Sequence, residues 1–289
     1  MTTTSTPTFK RVWFITGASR GIGARIAEAA LAHGDAVVAT ARDASVIEQR
    51  FGAQPGLLAV ALDVTNEAQA AIAVGAALDR FGRIDILVNN AGYGLLGAVE
   101  EASPDEVRRL YDTNVFGLLN VTRAVLPQMR ERRSGHVINI SSLGGVQSAA
   151  GFGVYCSTKF AVEGLTEALH AELAPLGIHA TVVEPGYFRT DFLEGQSLAT
   201  SPHLLGDYAA TAGVVRERAK QISLNQPGDP ERLAQAMLTL VDAKNPPLRL
   251  PLGSDTLRAI ADKHAFVERE TAAWRGVAAS TDFPALEGV

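Results

Sequence analysis

The sequence has a single cysteine, Cys156, among its 289 residues. One thiol excludes an internal disulfide and any metal site built from several cysteines, and we expect Cys156 to be a small apolar filler. The six histidines show no metal-ligand spacing such as His-Glu-x-x-His. The sequence therefore predicts that the protein binds no metal.

Long apolar runs and long basic runs are also missing. No stretch is long enough to span a bilayer, and the N-terminus has no apolar segment that ends at a small-residue cleavage site. The formal net charge is -5, and the basic residues cluster only briefly, at 130–133. These features argue against nucleic acid and membrane as partners. They predict a cytoplasmic protein with a small, mostly apolar ligand.

What the chain does have is a regular alternation of short apolar runs with helical patterns. Its composition, 47% hydrophobic and 20% charged, is sufficient for a large core. The runs typical of buried strands are RVWFITG, AVVATA, LLAVALDV, IDILVNNAG, GHVINISS, IHATVVEPG and PLRLPLG. This order predicts an α/β fold with a doubly wound, Rossmann-type, mostly parallel sheet of seven strands and helices on both faces.

No linker interrupts the pattern, so residues 9–289 are predicted to form a single domain. Residues 1–8 are rich in threonine and serine, and we expect them to be a disordered tail. The segment at about 187–228 is the one long irregular insertion. Such segments in compact domains are commonly lids or binding loops, and we interpret this one as a substrate-binding loop.

A glycine-rich turn, TGASRGIG at residues 16–23, separates the first predicted strand from an alanine-rich helix. Backbone amides at the start of such a helix can face a pyrophosphate. The alternative is a tight turn that merely needs glycine, but the correct flanking elements favour a dinucleotide site. The candidate binding residues here are Thr16, Gly17, Ser19, Arg20, Gly21, Ile22 and Gly23.

The end of the second predicted strand indicates which dinucleotide is bound. An NAD-binding protein usually places an acid there for the ribose 2′-hydroxyl, but this sequence has Ala41 followed by Arg42. Arg42 and Arg20 can converge on a 2′-phosphate, which arginine recognises better than lysine does. The sequence therefore predicts NADP(H) in preference to NAD(H). The alternative is that Arg42 is an ordinary surface cation.

Tyr155 and Lys159 are four residues apart in the run GVYCSTKFAVEGL. On a helix this spacing places both side chains on one face, so the ammonium group can favour the ionised form of the phenol. The alternative is that Tyr155 packs in a core while Lys159 extends along the surface.

Together these motifs resemble the short-chain dehydrogenase/reductase family. The resemblance runs from about Val12 to Thr190 and rests on TGASRGIG at 16–23, Asp63-Val64, NNAG at 89–92, Asn114, Ser142, YCSTK at 155–159 and PGYFRT at 185–190. It implies an enzyme that interconverts an alcohol and a ketone or aldehyde by hydride transfer with a nicotinamide cofactor. Members of the family are often oligomers, so a homodimer or homotetramer is expected.

The resemblance also assigns four catalytic residues. Tyr155 is the general acid and base, and Ser142 holds the substrate oxygen. Lys159 stabilises the phenolate together with the oxidised nicotinamide, and it hydrogen-bonds the nicotinamide ribose. Asn114 fixes a water molecule that connects Lys159 to solvent; without the resemblance, an exposed helical amide is the simpler interpretation.

Further cofactor contacts follow from the same resemblance. Those expected at the adenine, the adjoining ribose and the carboxamide end are Asp63, Val64, Asn90, Ala91, Gly92, Pro185, Gly186, Phe188 and Thr190. Two alternatives stay open, because Asp63 can simply initiate a turn and the NNAG segment can be required for the turn itself.

The substrate pocket is expected to be apolar, which predicts a hydrophobic carbonyl or alcohol substrate. Its candidate residues are Tyr93, Leu95, Gly144, Phe192 and Leu193, with Leu96, Leu204, Leu205 and Tyr208 nearby. A catalytically silent NADP(H)-sensing protein is the main alternative function, and a methyltransferase is the second. The presence of all four catalytic residues favours the enzyme.

Overall fold

A computed structural model describes residues 9–193 and 195–283, so the predicted tail at residues 1–8 lies outside the described residues. The strands in these ranges are β1 (Val12–Ile15), β2 (Ala36–Ala41), β3 (Leu57–Ala61), β4 (Ile86–Asn89), β5 (Gly94–Leu96), β6 (Gly135–Ile140), β7 (Ile178–Pro185), β8 (Leu198–Thr200) and β9 (Arg249–Leu252). Seven of them form one sheet in the order β3-β2-β1-β4-β6-β7-β9. Every pairing in this sheet is parallel. The predicted seven-stranded, doubly wound sheet is confirmed.

Helices cover both faces of this sheet. Among the described residues they are α1 (Gly21–Ala32), α2 (Ser45–Phe51), α3 (Glu67–Phe81), α4 (Pro104–Tyr111), α5 (Leu118–Arg132), α6 (Gly153–Leu173), α7 (Val214–Ile222), α8 (Pro230–Asp242) and α9 (Ser254–Ala279). One core cluster lies between the sheet and α3, α5 and α6, and a second lies between the sheet and α1, α2 and α8. None of the helices in the described ranges is long and apolar enough to cross a membrane.

The central strands are apolar throughout because both of their faces are buried. In β1, Val12 and Phe14 belong to one core cluster, whereas Trp13 and Ile15 belong to the other. Successive side chains of a strand point to opposite faces, so a strand covered on both sides needs apolar residues at every position. This explains why the strand runs are conspicuous in the sequence.

The segment between β7 and α8 is more regular than predicted. It contains β8, a π-helical turn at Ala209–Gly213 and α7, so the prediction of an irregular insertion at 187–228 is wrong in that respect. β8 pairs in parallel with β5, where Leu95 is opposite Ala199. These short elements depend on a partner from elsewhere in the chain, and local periodicity does not reveal them.

Glu101 anchors this segment to the body of the protein. Its carboxylate is buried and accepts hydrogen bonds from the backbone N–H groups of Ala98, at 2.7 Å, and Leu205, at 3.0 Å. Arg216 of α7 donates to it at 2.6 Å. The hydrogen bond from Arg216, together with those from Leu205 and Ala98, lowers the pKa of Glu101 from 4.5 to about 2. The contribution of Glu101 to stability is therefore complete above about pH 4.5 and is lost as the pH falls toward 2.

Replacing Arg216 with methionine is expected to loosen the segment from β8 to α7. The substitution keeps much of the side-chain volume but leaves the buried Glu101 carboxylate without its cation. Hydrogen exchange of the amides at 198–222 should become faster by roughly an order of magnitude or more, while the amides of the central sheet stay protected. Lys220→Met is the matched control, because Lys220 pairs with Glu217 at the exposed surface of the same helix. Unchanged exchange in Arg216→Met would contradict the anchoring role of Glu101.

Candidate active site

A cavity of about 1060 Å³ opens along the carboxyl ends of the parallel strands. This is where open α/β sheets bind their ligands. The cavity runs from Ala41 and Arg42, past the glycine turn, to Tyr155 and Thr190. Its wall contains these predicted cofactor residues: Gly17, Ser19, Arg20, Gly21, Ile22, Arg42, Asp63, Val64, Asn90, Ala91, Gly92, Tyr155, Lys159, Pro185, Gly186, Phe188 and Thr190.

Two predicted cofactor residues, Thr16 and Gly23, lie behind the wall. The Thr16 hydroxyl accepts hydrogen bonds from the N–H groups of Asn90 and Ala91, both at 2.9 Å. The Asn90 amide donates to the carbonyls of Thr16 and Gly17, at 2.9 and 3.0 Å. At Gly23 a Cβ would lie 2.4 Å from the Asn90 amide nitrogen, so only glycine fits there. These two residues shape the turn, and the prediction that they line the site is corrected to that extent.

The glycine turn directs the start of α1 toward the cavity. Gly17 has φ +65° and Gly21 has φ +57°, a left-handed backbone region in which side chains are strained. Gly21 is the first residue of α1, so the unpaired amides of the first helical turn lie beside the wall. Such amides, together with the helix dipole, attract a phosphate group.

The two arginines predicted to recognise a 2′-phosphate both line the cavity. Arg20 also lies 3.7 Å from the carboxylate of Asp191, and both side chains are about two-fifths exposed. Ala41 is the last residue of β2, so the position usually taken by an acid has a small side chain. Of the two guanidiniums, only Arg42 is adjacent to this position in the chain.

Asp63 initiates a turn, which is the alternative interpretation that the sequence left open. Its carboxylate accepts hydrogen bonds from the backbone and hydroxyl of Thr65, at 3.0 and 2.8 Å. The residue still lines the cavity together with Val64. Its side chain is therefore already engaged in shaping the loop after β3.

The structure brings Ser142, Tyr155 and Lys159 together at one end of the cavity. Ser142 follows β6, its hydroxyl accepts a hydrogen bond from the N–H of Gly144 at 3.0 Å, and its side chain acts to lower the pKa of Tyr155. The Lys159 ammonium lies 5.9 Å from the centre of the Tyr155 ring and donates to the carbonyl of Ile140 at 2.9 Å. Tyr155 and Lys159 share one face of α6, as their spacing predicts.

Burial controls the ionisation of both groups. It raises the pKa of Tyr155 above the ordinary range of a phenol, and the hydrogen bond with Ser142 opposes this change only in part. The sequence predicts that Lys159 lowers this pKa, but burial of the phenol outweighs any such effect. Burial also lowers the pKa of Lys159 from 10.5 to about 8, against the charge of Glu163. Tyr155 therefore holds its proton as an acid must.

Asn114 lies in a π-helical turn, Asp112–Gly117, between α4 and α5. Its amide makes two hydrogen bonds with the backbone of Tyr93, accepting from N–H at 3.0 Å and donating to C=O at 2.9 Å. The side chain is 2% exposed and lies behind the cavity wall, so the exposed-amide interpretation is wrong. In this structure Asn114 fixes the loop that follows β4, and such π-helical turns are frequent at functional sites.

The substrate end of the cavity is largely apolar and aromatic. Four of the predicted residues line it: Tyr93, Gly144, Phe192 and Leu193. Leu95 does not, because its pairing in β5 buries it in a small core with Leu110. Leu96, Leu204, Leu205 and Tyr208 are not part of the wall either. The Tyr208 hydroxyl donates instead to Glu100 at 2.6 Å.

Sequence reasoning missed several residues of this wall. They are Leu143, Gln147, Ala149, Phe152, Cys156, Tyr187, Ala199 and Gln226. Cys156 is both core and cavity wall, so the prediction of a simple filler is incomplete. The rings of Phe152 and Phe192 contact Tyr155 with centroid distances of 6.1 and 5.9 Å. The one sequence signal for these wall residues was the position of Phe152, which directly precedes α6, the helix that carries Tyr155.

Within 9–193 and 195–283 no metal-binding group of His, Cys, Asp and Glu is found.

A second cluster of charged residues lies behind Lys159. Glu163 is one turn further along α6, and it shares Arg249 of β9 with Glu184 of β7. Glu163 and Glu184 are buried, while Glu167 contacts the same arginine at the surface. Burial raises the pKa of Glu163, and Glu184 adds to this effect, whereas Ser141 and Arg249 lower it. The Glu163 carboxylate in turn favours the charged form of Lys159.

Comparison with known proteins identifies the family of this chain. Residues 11–200 match the short chain dehydrogenase family, and the chain belongs to it. It is 40% identical to oxidoreductase BOA17 of Botryotinia fuckeliana over 92% of this chain and 97% of that protein. It is 36% identical to human retinol dehydrogenase 8 over 83% and 80%, respectively. A short-chain dehydrogenase structure from Streptomyces avermitilis has a TM-score of 0.87 with 42% identity, covering 94% of this chain and all of that one.

Two similar structures contain a nicotinamide cofactor. A 3-ketoacyl-(acyl-carrier-protein) reductase from Brucella melitensis complexed with NADH has a TM-score of 0.71 and 29% identity, covering 84% of this chain and 97% of that one. A serine dehydrogenase complexed with NADP+ has a TM-score of 0.70 and 28% identity, covering 83% and 94%. The chain is thus an oxidoreductase of CH–OH groups that uses a nicotinamide cofactor, and these relatives include both cofactor types.

Replacing Glu163 with glutamine is expected to move the pH dependence of cofactor binding to lower pH. Because the family resemblance assigns Lys159 a hydrogen bond to the cofactor, affinity should fall as the pH rises through about 8, where Lys159 loses its charge. Without the Glu163 carboxylate the Lys159 pKa drops further, so the loss should begin earlier. Fluorescence titration of NADPH between about pH 6 and pH 10 measures this shift.

Glu167→Gln is the control for this change, because Glu167 contacts Arg249 at the exposed end of the cluster. Its pH profile should match that of the wild type. A Glu163→Gln protein with the wild-type midpoint would show that Glu163 does not support the charge of Lys159.

Proposed function

We propose that the protein is an NADP(H)-dependent oxidoreductase that interconverts a hydrophobic ketone or aldehyde and its alcohol, with Tyr155 as general acid and base. The observation that carries this proposal is the grouping of Ser142 with the buried Tyr155 and Lys159 at the apolar end of a long cavity. At the other end, Arg42 follows Ala41, where an NAD-specific protein usually has an acid. The cytosolic location and the homo-oligomeric state expected from the sequence stay predictions.

The residues present fit a dinucleotide along the whole cavity. The amides at the start of α1 suit the pyrophosphate, Arg42 suits a 2′-phosphate, and Lys159 suits the nicotinamide ribose. Asn90 and Thr16 hold the two loops that would enclose it. When bound, the cofactor supplies or accepts the hydride, which no side chain of this protein can do.

In the reductive direction, the carbonyl carbon gains a hydride and the carbonyl oxygen gains a proton. Ser142 donates a hydrogen bond to that oxygen as its negative charge develops. Tyr155 then releases its phenolic proton to the oxygen, which completes the alcohol. The Lys159 ammonium stabilises the phenolate until it is protonated again from solvent. Oxidation of an alcohol follows the same path in reverse, with the phenolate as base.

The wall around Tyr155 favours a hydrophobic substrate. Phe152 and Phe192 pack against the Tyr155 ring, and Leu143 and Leu193 extend the apolar surface. Apolar walls with a few polar groups at the reacting centre are typical of small-molecule sites. The similarity to a retinol dehydrogenase is consistent with a substrate of this chemical class.

Replacing Tyr155 with phenylalanine tests the mechanism, because it keeps the ring and removes only the hydroxyl. NADPH consumption is first screened over aliphatic, aromatic and steroid carbonyls to obtain a substrate. With that substrate, turnover of Tyr155→Phe should fall by a factor on the order of 10² to 10⁴, while NADPH affinity stays near that of the wild type. Lys159→Met should weaken both turnover and NADPH binding, because Lys159 has two roles.

Tyr111→Phe is the matched control, since the Tyr111 hydroxyl donates to Ser157 away from the cavity wall. It should retain wild-type turnover. A Tyr155→Phe enzyme with a near-wild-type rate would overturn the proposed mechanism. NADPH binding without turnover of any carbonyl would instead favour a cofactor-sensing protein.

Changing Ala41 to aspartate together with Arg42 to leucine is expected to shift cofactor preference toward NADH. The new carboxylate would repel the 2′-phosphate and accept a hydrogen bond from a free 2′-hydroxyl. Arg42→Leu alone should weaken NADPH binding without strengthening NADH binding. Fluorescence titrations with both cofactors give the ratio of affinities, and an unchanged ratio in the double variant would refute this basis for NADP(H) preference.

A further inference from the structure

Gln226 is a buried polar residue of the cavity wall that the mechanism above does not use. It lies in the connection between α7 and α8, it lines the cavity, and it is 1% exposed. Its side-chain oxygen has no hydrogen-bond partner among the residues that the structure describes. A buried carbonyl oxygen without a donor costs free energy, so a molecule that enters the cavity is expected to supply the donor.

The neighbours of the Gln226 amide determine which of its two ends lacks a partner. The nitrogen donates to the carbonyl of Thr190 at 3.3 Å, and a carbonyl can only accept, so the amide cannot be turned the other way. The backbone carbonyl of Gln226 accepts a hydrogen bond from Nε of Arg189 at 3.1 Å. Nearby, Gly228 forms a parallel bridge with Phe188. These contacts hold the Gln226 oxygen against the loop that follows β7.

One other wall residue in the described ranges, Ser141, has a buried side-chain oxygen without a partner in good geometry. Its hydroxyl lies beside the carboxylate of Glu163, because both groups flank the place where a Cβ of Gly145 would be. The same hydroxyl acts to lower the pKa of Glu163. Ser141 therefore serves the charged cluster behind the wall, and Gln226 carries the acceptor that is left for a ligand.

A short series of contacts connects Gln226 to Tyr155. Thr190, whose carbonyl accepts from Gln226, also accepts through its hydroxyl a hydrogen bond from the N–H of Phe192 at 3.3 Å. The Phe192 ring in turn packs against the Tyr155 ring with a centroid distance of 5.9 Å. Gln226 therefore belongs to the end of the cavity at which hydride transfer is proposed.

The cofactor brings a suitable donor to this end of the cavity. In a nicotinamide ring, the carboxamide is attached to the carbon next to the one that transfers the hydride. Any productive position of the ring therefore places the two N–H donors of that amide close to the reacting carbon. A carbonyl substrate need not carry a hydrogen-bond donor at all. The cofactor is thus the more general source of a donor for Gln226.

We propose that the side-chain oxygen of Gln226 accepts a hydrogen bond from the carboxamide N–H group of the bound nicotinamide. This inference rests on the proposed function and adds a cofactor-binding residue that lies beyond the matched motifs. The hydrogen bond restricts rotation of the ring in the cavity, so that the reacting carbon stays directed toward the substrate at Tyr155.

Cofactor analogues test the assignment by calorimetric titration, without turnover. The 3-acetylpyridine analogue of NADP+ has a methyl group in place of the carboxamide NH2, whereas the thionicotinamide analogue keeps the NH2. The wild type should bind NADP+ roughly fivefold or more tightly than the acetylpyridine analogue, because the methyl group leaves the Gln226 oxygen unpaired. In Gln226→Met, which removes the acceptor at similar volume, this ratio should fall toward one. The ratio of NADP+ to the thionicotinamide analogue should stay as in the wild type.

Gln235→Met is the matched control, because Gln235 is exposed on α8 and lies outside the cavity wall. It should keep both wild-type ratios. Gln226→Glu still offers an oxygen acceptor, so it should keep the preference for NADP+ over the acetylpyridine analogue. This variant also supplies a test if Gln226→Met fails to fold, because loss of the preference in Gln226→Glu would contradict the proposal.

An unchanged ratio of NADP+ to the acetylpyridine analogue in Gln226→Met would overturn the assignment. If all three cofactors weaken equally in that variant, Gln226 only holds Thr190 in place. If instead KM rises only for carbonyl substrates that carry a hydroxyl group, the oxygen belongs to the substrate. Both of these results would leave the proposed function intact, whereas a wild-type protein that binds no NADP+ would contradict the proposed function and this inference together.

Discussion

Burial of the Lys159 ammonium is the constraint on which the candidate active site depends. A cation removed from water must find hydrogen-bond acceptors and negative charge nearby, or it loses its proton. The carbonyl of Ile140 and the carboxylate of Glu163 provide them. Ile140 lies in β6 and Glu163 lies in α6, so Lys159 is positioned by the same packing that holds the sheet and helix together. Groups behind the cavity wall therefore maintain the positive charge of Lys159, which would stabilise a phenolate at Tyr155.

The end of the cavity that contains the glycine turn depends on the close approach of two loops, which uncharged groups hold together. Thr16 and Asn90 exchange hydrogen bonds between the ends of β1 and β4. This contact is possible only because Gly23 has no side chain in its path. The turn is thereby fixed in advance with the amides of α1 beside the cavity. Such preorganisation lowers the cost of ordering the loops when a ligand binds.

The sequence predicted the parts of the molecule that local pattern determines. Strands buried on both faces are apolar without interruption, and the glycine turn and the Tyr155–Lys159 pair are short segments with fixed spacing. Contacts between distant segments were not predictable. Arg249 meets Glu163 across 86 residues of sequence and Arg216 meets Glu101 across 115. Leu95 was assigned to the pocket because it closely follows Gly92, in a segment expected to be a loop. Its pairing in β5 instead directs its side chain into a small core. The side-chain direction of such residues follows from tertiary pairing, which a single sequence does not contain.

The most direct test of hydride transfer by this site is a label-transfer experiment. NADPH deuterated at the transferring position of C4 is mixed in a single turnover with the best carbonyl substrate, and the product is analysed by mass spectrometry and NMR. The account predicts one deuterium on the carbinol carbon of the alcohol, in amounts equal to the NADPH consumed, and almost none with Tyr155→Phe over the same time. NADPH that binds in the cavity and is oxidised without deuterium reaching the product carbon would contradict it.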